Sequence, residues 1–406
     1  MTEPVFYADP MRLLIASAAG ILLLLFLIIK LKLHPVISMM ISAVLIGIGA
    51  GMPLHMIGET VEKGVGKTLA GNCTLIGLGS MFGGMLEVSG GAQQMAQTLI
   101  RRFGQQKAGW ALGLTGLVLG TTVFFECRSR DPDSLAFNVA KQTKKSTLYY
   151  ATPLLAGLAS GYAFVPPSAG SVLVANALGV NLGTMMAIGI PVALVSTVVA
   201  GIIWGKIIGN KIYTKLPANV EEIADIDKNL PSFGIVLMII LIPLVLILLS
   251  TISGYLPIPE SVQSVLQFLG EPFVALTIAT LTAMYMLGTR MGYNRDQLKK
   301  ILDHSLRPVG MILLVIASGG VIRWMLQDSG LGNIIGPILE KSGMPLIVIA
   351  FLIAFLVRCF CGKFNRSNDV LPGSCVQCRL WQQLYTVQSS DVLCNLWRSD
   401  GTESCK

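Results

Sequence analysis

The feature that most constrains this chain is an alternation, sustained to Arg358, of bilayer-length apolar runs with short basic loops. A hydrocarbon core about 30 Å thick takes roughly 20 apolar residues per helix. Candidate spans by that measure are Leu13–Ile29, Pro35–Gly51, Leu69–Leu86, Ala108–Phe125, Tyr150–Val165, Met185–Ile203, Phe233–Ser253, Phe273–Leu287, Pro308–Ile322 and Leu346–Val357. Backbone in lipid has to satisfy its own hydrogen bonds, so these runs read as helices. The last is short for a full crossing.

Composition agrees with that class. The chain is 53% hydrophobic and 13% charged, against about 25% charged in a soluble domain. Its 43 glycines suit closely packed transmembrane helices. A net charge of +8 does not point to nucleic acid, because the basic residues fall in short clusters between apolar runs. They are Lys30 and Lys32; Arg101, Arg102 and Lys107; Lys206, Lys211 and Lys215; and Arg290, Arg295, Lys299 and Lys300. With the N-terminus outside, all four clusters lie inside, as the positive-inside rule requires. Glu3 and Asp9 precede the first run and no small-residue cleavage site follows it. That run reads as a retained span rather than a signal peptide.

Two segments break the pattern. Between the run ending at Phe125 and the cluster Lys141, Lys144 and Lys145, a crossing is required. The chain offers Cys127-Arg128-Ser129-Arg130-Asp131-Pro132-Asp133-Ser134 there. Each such charge at the membrane centre costs about 2.5–3.5 kcal/mol. The segment is either a genuine polar loop with an odd parity of spans or the place of a missing helix. From Cys359 to Lys406 the chain is polar and holds six of its eight cysteines. The expected organisation is a transmembrane domain over 1–358, anomalous at 127–134, with a polar, disordered tail over 359–406.

Several motifs resemble the gluconate permease family of proton-coupled sugar-acid carriers. Gly64-Val65-Gly66-Lys67-Thr68-Leu69 is similar to its G-x-G-G-T-L. The stretch from Gly77 to Ala92, Val123-Phe124-Phe125-Glu126, Ala163-Phe164-Val165-Pro166-Pro167, Ser318-Gly319-Gly320-Val321 and Asp328-Ser329-Gly330-Leu331-Gly332 match other family motifs. The resemblance covers about Leu13 to Arg358. It departs at the two anomalies. The family continues after V-F-F-E with V-G-x-x-I-L-I-P, and after the arginine matching Arg358 with further spans. Cys127 to Ser134 and Cys359 to Val370, back-translated and read one base later, can encode family-like segments. The expectation is therefore two frameshifted segments, 127–134 and 359–406, and a carrier that is C-terminally incomplete and impaired as it stands.

The resemblance implies an all-α polytopic membrane protein: a secondary-transporter helical bundle with inverted repeats and discontinuous helices. It would import gluconate or a related sugar acid with protons across the bacterial inner membrane. Its partners would be that sugar acid, protons and the lipid bilayer; the fold allows a homo-oligomer, and no cofactor or metal is implied. A channel or non-transporting scaffold is the second reading; it needs no titratable relay. A membrane enzyme would need a nucleophile–base or metal constellation, and none is visible.

Candidate site residues follow from chemistry at membrane depth. Glu126, near the end of an apolar run, either carries the coupling proton or is an interfacial carboxylate. Glu87 reads as interfacial. The run Phe164, Pro166, Pro167, Ser168 and Gly170 interrupts an apolar stretch. Proline breaks a helix, and broken helices form substrate sites in secondary carriers, their half-helix N-termini facing anions; the alternative is an ordinary loop outside the membrane. The family pattern has His at the position of Tyr162 and often of Ser168, and prolines at those of Ala169 and Ser171. Gly66 and Thr68 form a glycine-rich approach to a span, either a half-helix N-terminus with Lys67 beside it or a packing site. Gly66-Lys67-Thr68 lacks the spacing of a phosphate loop. Ser318-Gly319-Gly320 marks either a second discontinuity or close packing. Arg323 and Asp328 are expected to pair locally. His34, His55 and His304 have no ligand spacing, and one C-x-x-C, Cys375 to Cys378, does not make a zinc module.

Overall fold

A computed structural model of the chain describes residues 9–104, 107–122, 146–211 and 230–332, with the isolated positions 334, 348 and 351–352. Among them all regular structure is helical. In chain order the helices are α1 (Pro10–Ile29), α2 (Pro35–Ala50), α3 (Leu54–Val88), α4 (Gly91–Phe103), α5 (Ala108–Thr122), α6 (Thr147–Phe164) and α7 (Ala169–Leu178). They continue with α8 (Leu182–Ser196), α9 (Trp204–Lys211), α10 (Phe233–Ser253), α11 (Glu260–Leu269), α12 (Pro272–Ala283), α13 (Arg295–Leu306) and α14 (Val309–Asp328). Six of the described helical runs are long and apolar enough to cross a membrane. Their outward faces carry exposed Leu22, Val195, Val199, Leu281 and Leu314. A surface of that kind suits lipid, where apolar side chains meet no water.

Most expected spans coincide with these helices, and the differences are instructive. The run expected to begin at Leu69 begins at Leu54, because the polar residues before it join the same helix. At 1.5 Å per residue its 35 residues reach about 52 Å, well beyond the hydrocarbon layer. Three amphipathic helices, α4, α11 and α13, occupy stretches expected as loops. α13 opens on a capping box, with Asn294 Oδ1 accepting from Gln297 N–H at 2.8 Å and Gln297 Oε1 from Asn294 N–H at 2.9 Å. Two long runs pass through π-helical turns, Thr197–Ile203 between α8 and α9 and Met284–Gly288 after α12. The segment 127–134, nearly all of the run from Leu346 to Val357, and the tail lie outside the described residues.

The helices gather into two compact units. Among the described residues the first draws on 9–71 and on 310–332. Its core is Leu13, Ala43, Ile46, Ala50, Met52, Ile57, Val321 and Met325. α2 is bounded by chemistry legible in the chain. His34 caps it by accepting from Val36 N–H at 3.3 Å, Pro35 occupies its first position, and Gly51 closes it with φ +86°. That left-handed conformation favours glycine, which has no Cβ to clash.

The second unit spans 72–309. Its closest helix pair is α5 with α6. A Cβ placed at Gly116 would fall on the Leu154 carbonyl, one at Gly120 on that of Leu158, one at Gly157 on that of Gly113, and one at Gly161 on that of Leu117. Two backbones meet with no side chain between them, the small-residue packing that substitutes for a hydrophobic drive in lipid. α6 is buried almost throughout. Beside it the core collects Leu117, Val165, Met186, Ala193, Leu244, Ile247 and Ala275.

Candidate functional site

The break between α6 and α7 follows directly from its residues. Pro166 and Pro167 have no N–H to give a helix, and a residue before proline is pushed out of the helical region. Val165 is accordingly extended, φ −111° and ψ 118°, while its N–H still donates to the Gly161 carbonyl. The Pro166–Pro167 peptide is cis. α7 restarts at Ala169, with the Ser168 carbonyl accepting from Val172 N–H at 3.0 Å.

Serine chemistry ties the break together. The Ser168 hydroxyl donates to the Tyr162 carbonyl at 2.6 Å, a carbonyl released by the interruption of α6. Ser168 Oγ lies 2.7 Å from the Ser171 hydroxyl and accepts from Ser171 N–H at 3.3 Å. The Ser171 hydroxyl also reaches the Ser168 carbonyl at 3.0 Å. With the Ser168 proton directed to Tyr162, the Ser171 proton is shared between the two Ser168 oxygens. Val165, Pro166, Pro167 and Ser168 are buried, Phe164 is half-buried and Gly170 is exposed. Gly189 of α8 lies against the Phe164 carbonyl, where no side chain would fit. The irregular backbone is thus enclosed in protein, the condition under which it is tolerated at membrane depth. One side stays open: a Cβ at Gly170, in the first turn of α7, would meet nothing within 4 Å.

The first unit holds the other candidates, and there the half-helix expectation is corrected. Residues 64–69 lie inside the uninterrupted helix α3, so no helix N-terminus exists at that point. The glycines pack instead. A Cβ at Gly64 would sit 2.8 Å from Val321 Cα, and Gly320 lies against the Thr68 side chain. α14 likewise runs unbroken through 318–320, so those glycines serve close approach, not a second discontinuity. Thr68 is buried, whereas Gly66 is exposed with open space beside it.

The pairing expected of Asp328 is also corrected. Positions 323 and 328 are five apart, about 140° around a helix of 3.6 residues per turn, so their side chains diverge. Asp328 instead meets α3. Lys63 Nζ donates to its two oxygens at 3.1 and 3.0 Å, and the Thr60 hydroxyl donates at 3.2 Å. Lys63 and Lys67 lie over the Trp324 ring, 4.6 and 4.8 Å from its centroid. This constellation was not foreseen. Its only trace in the chain is the spacing of four in Lys63 and Lys67, and again in Trp324 and Asp328, which puts each pair on one helix face. Glu87 is exposed near the end of α3, as an interfacial carboxylate would be. Glu126 lies outside the described residues.

A set of relatives decides what such a bundle belongs to. The sequence profile of the GntP family permeases matches residues 11–367, slightly beyond the motif-bearing region at both ends. The chain belongs to the GntP family of permeases. Three relatives illustrate the range. This GntP permease is 36% identical over 354 residues to the low-affinity gluconate transporter of Escherichia coli K12, covering 87% of this chain and 79% of that one. It is 33% identical to the gluconate permease of Pseudomonas aeruginosa, covering 89% and 84%. It is also 33% identical to the D-serine transporter DsdX of Escherichia coli O6:H1, covering 85% and 78%. As a GntP permease it is a multi-pass membrane transport protein and not an enzyme.

Proposed function

We propose that this permease is a secondary carrier that imports gluconate or a related sugar acid with protons across the bacterial inner membrane. The observation that carries the reading is the buried, serine-tied break at 165–168 in a chain whose motifs resemble those of sugar-acid permeases and whose relatives include a low-affinity gluconate transporter. The restarted helix α7 offers its N-terminal turn, open at Gly170, to a carboxylate; helix N-termini carry partial positive charge. Phe164, Pro166, Pro167 and Ser168 shape the break behind it. Within the first unit, Gly66 and Thr68 are proposed as substrate-binding residues in their own right. Substrate would sit near the midplane between inverted repeats, and access would alternate by rocking. Glu126 is proposed to carry the coupling proton. Gluconate and D-serine share a carboxylate on a carbon bearing a further polar group, so a site built for that end of the molecule fits both relatives' names.

The test is uptake of labelled gluconate by transport-null cells, with and without an uncoupler. It is run on the chain as it stands and on a variant in which 127–134 and 359–370 are restored to their apolar readings. Uncoupler-sensitive accumulation in the restored variant alone supports both the carrier reading and the displaced frame. Accumulation by the chain as it stands shows that the polar segments are genuine. Uptake of D-serine in place of gluconate, in either form, overturns the sugar-acid assignment.

A further inference from the structure

We propose that Lys67, held over Trp324 beside the Lys63–Asp328 pair, is a carboxylate-binding group of the first unit. The inference rests on the sugar-acid reading above for its ligand, though not for its geometry. All the residues concerned lie in α3 before residue 72 and in α14 after residue 309, within the one unit.

Charge accounting leads to Lys67. Asp328 is engaged by Lys63 through both oxygens and by Thr60, so its charge is matched by the Lys63 ammonium. Lys67 sits one turn further along α3, and among the described residues no carboxylate lies within ion-pair distance of it. Glu59 and Glu62, the nearest acids on α3, are exposed, and neither forms an ion pair with Lys63 or Lys67. Arg323 of α14 is exposed and adds further positive charge. Among the described residues the cluster therefore holds two ammonium groups against one carboxylate. The Trp324 face attracts a cation but carries no net charge, so it positions the Lys67 ammonium without neutralising it. Lys67 is exposed, and an ammonium drawn to a ring face with no carboxylate partner among the described residues is open to a ligand carboxylate. Such a charge-assisted bond is about twice as strong as a neutral one.

A plainer role exists for the same residues. Tryptophan and lysine near a span end anchor helices at the membrane interface. An anchor, however, has no preference for a carboxylate over a neutral polyol of the same length, and the experiment turns on that difference.

The full chain is purified in detergent and titrated with gluconate and with sorbitol, following tryptophan fluorescence. A Trp324→Phe variant identifies the Trp324 share of the signal from the five tryptophans. The expected result is a gluconate-dependent Trp324 signal, with Kd raised about tenfold or more in Lys67→Gln and by less than about threefold in Lys67→Arg. Sorbitol should give no such signal in any form. Gluconate binding unchanged in Lys67→Gln overturns the inference and leaves the sugar-acid reading intact. D-serine binding that needs Lys67, with no gluconate binding, keeps the inference and removes the sugar acid. Failure of the wild-type chain to bind either carboxylate overturns the inference.

Discussion

Two glycines two positions apart on α3 have opposite structural meanings. Gly64 faces the α14 backbone at Val321, where a side chain does not fit; Gly66 faces open space. Alanine favours a helix interior over glycine by about 1 kcal/mol, so Gly66→Ala should leave stability unchanged or raised. If Gly66 lines the substrate path, the same substitution reduces gluconate uptake while the melting temperature in detergent holds. Unchanged uptake removes Gly66 from the proposed site. The break at Val165 to Ser168 was legible because its causes are local: two prolines and a serine act within a few residues. The Lys63–Asp328 pair was not legible. Its partners are 265 positions apart, and only helix packing brings them together.

At the scale of elements, α5 and α6 stand or fall together. Their glycines meet carbonyl oxygens across the pair, and a carbonyl cannot swing aside as a side chain can. Gly157→Ala should cost about 1–3 kcal/mol, the usual penalty of overpacking, and lower the melting temperature where Gly66→Ala does not. A tolerated Gly157→Ala would mean that the helices separate at little expense. Periodicity and run length located most spans, but the same reading missed the start of α3 and the helices α4, α11 and α13. Those segments are too polar to register as spans. They are helical because one face meets protein or lipid, as the apolar positions of α13 show: Leu298 is buried while Arg295 and Lys299 are exposed. The π-helical turns had no expectation attached. Thr197 bonds back to the Ala193 carbonyl at 2.7 Å where the first begins, and Gly201 within it lies against Pro153 of α6.

For the whole molecule, the positive-inside pattern makes an orientation testable. Tyr255 follows α10 and is exposed, and Lys300 lies on the basic helix α13. With the N-terminus outside, Tyr255→Cys should react with an impermeant thiol reagent in intact cells, above the background of the native cysteines. Lys300→Cys should react only after permeabilisation. The reverse pattern would invert the topology, and labelling of both from outside would break the assumed number of crossings.

What the chain alone determined was the membrane class, the helical architecture, most spans, the break at 165–168 and the family. All of these follow from short-range facts: run length against bilayer thickness, the missing proline N–H, and charges kept out of lipid. What only the tertiary structure decided was which glycines face a neighbour, which carboxylate meets which lysine, and that 64–69 lies within a helix and not at its start. Those outcomes depend on the register and approach of helices distant in sequence, and no local pattern encodes the rotation of one helix against another.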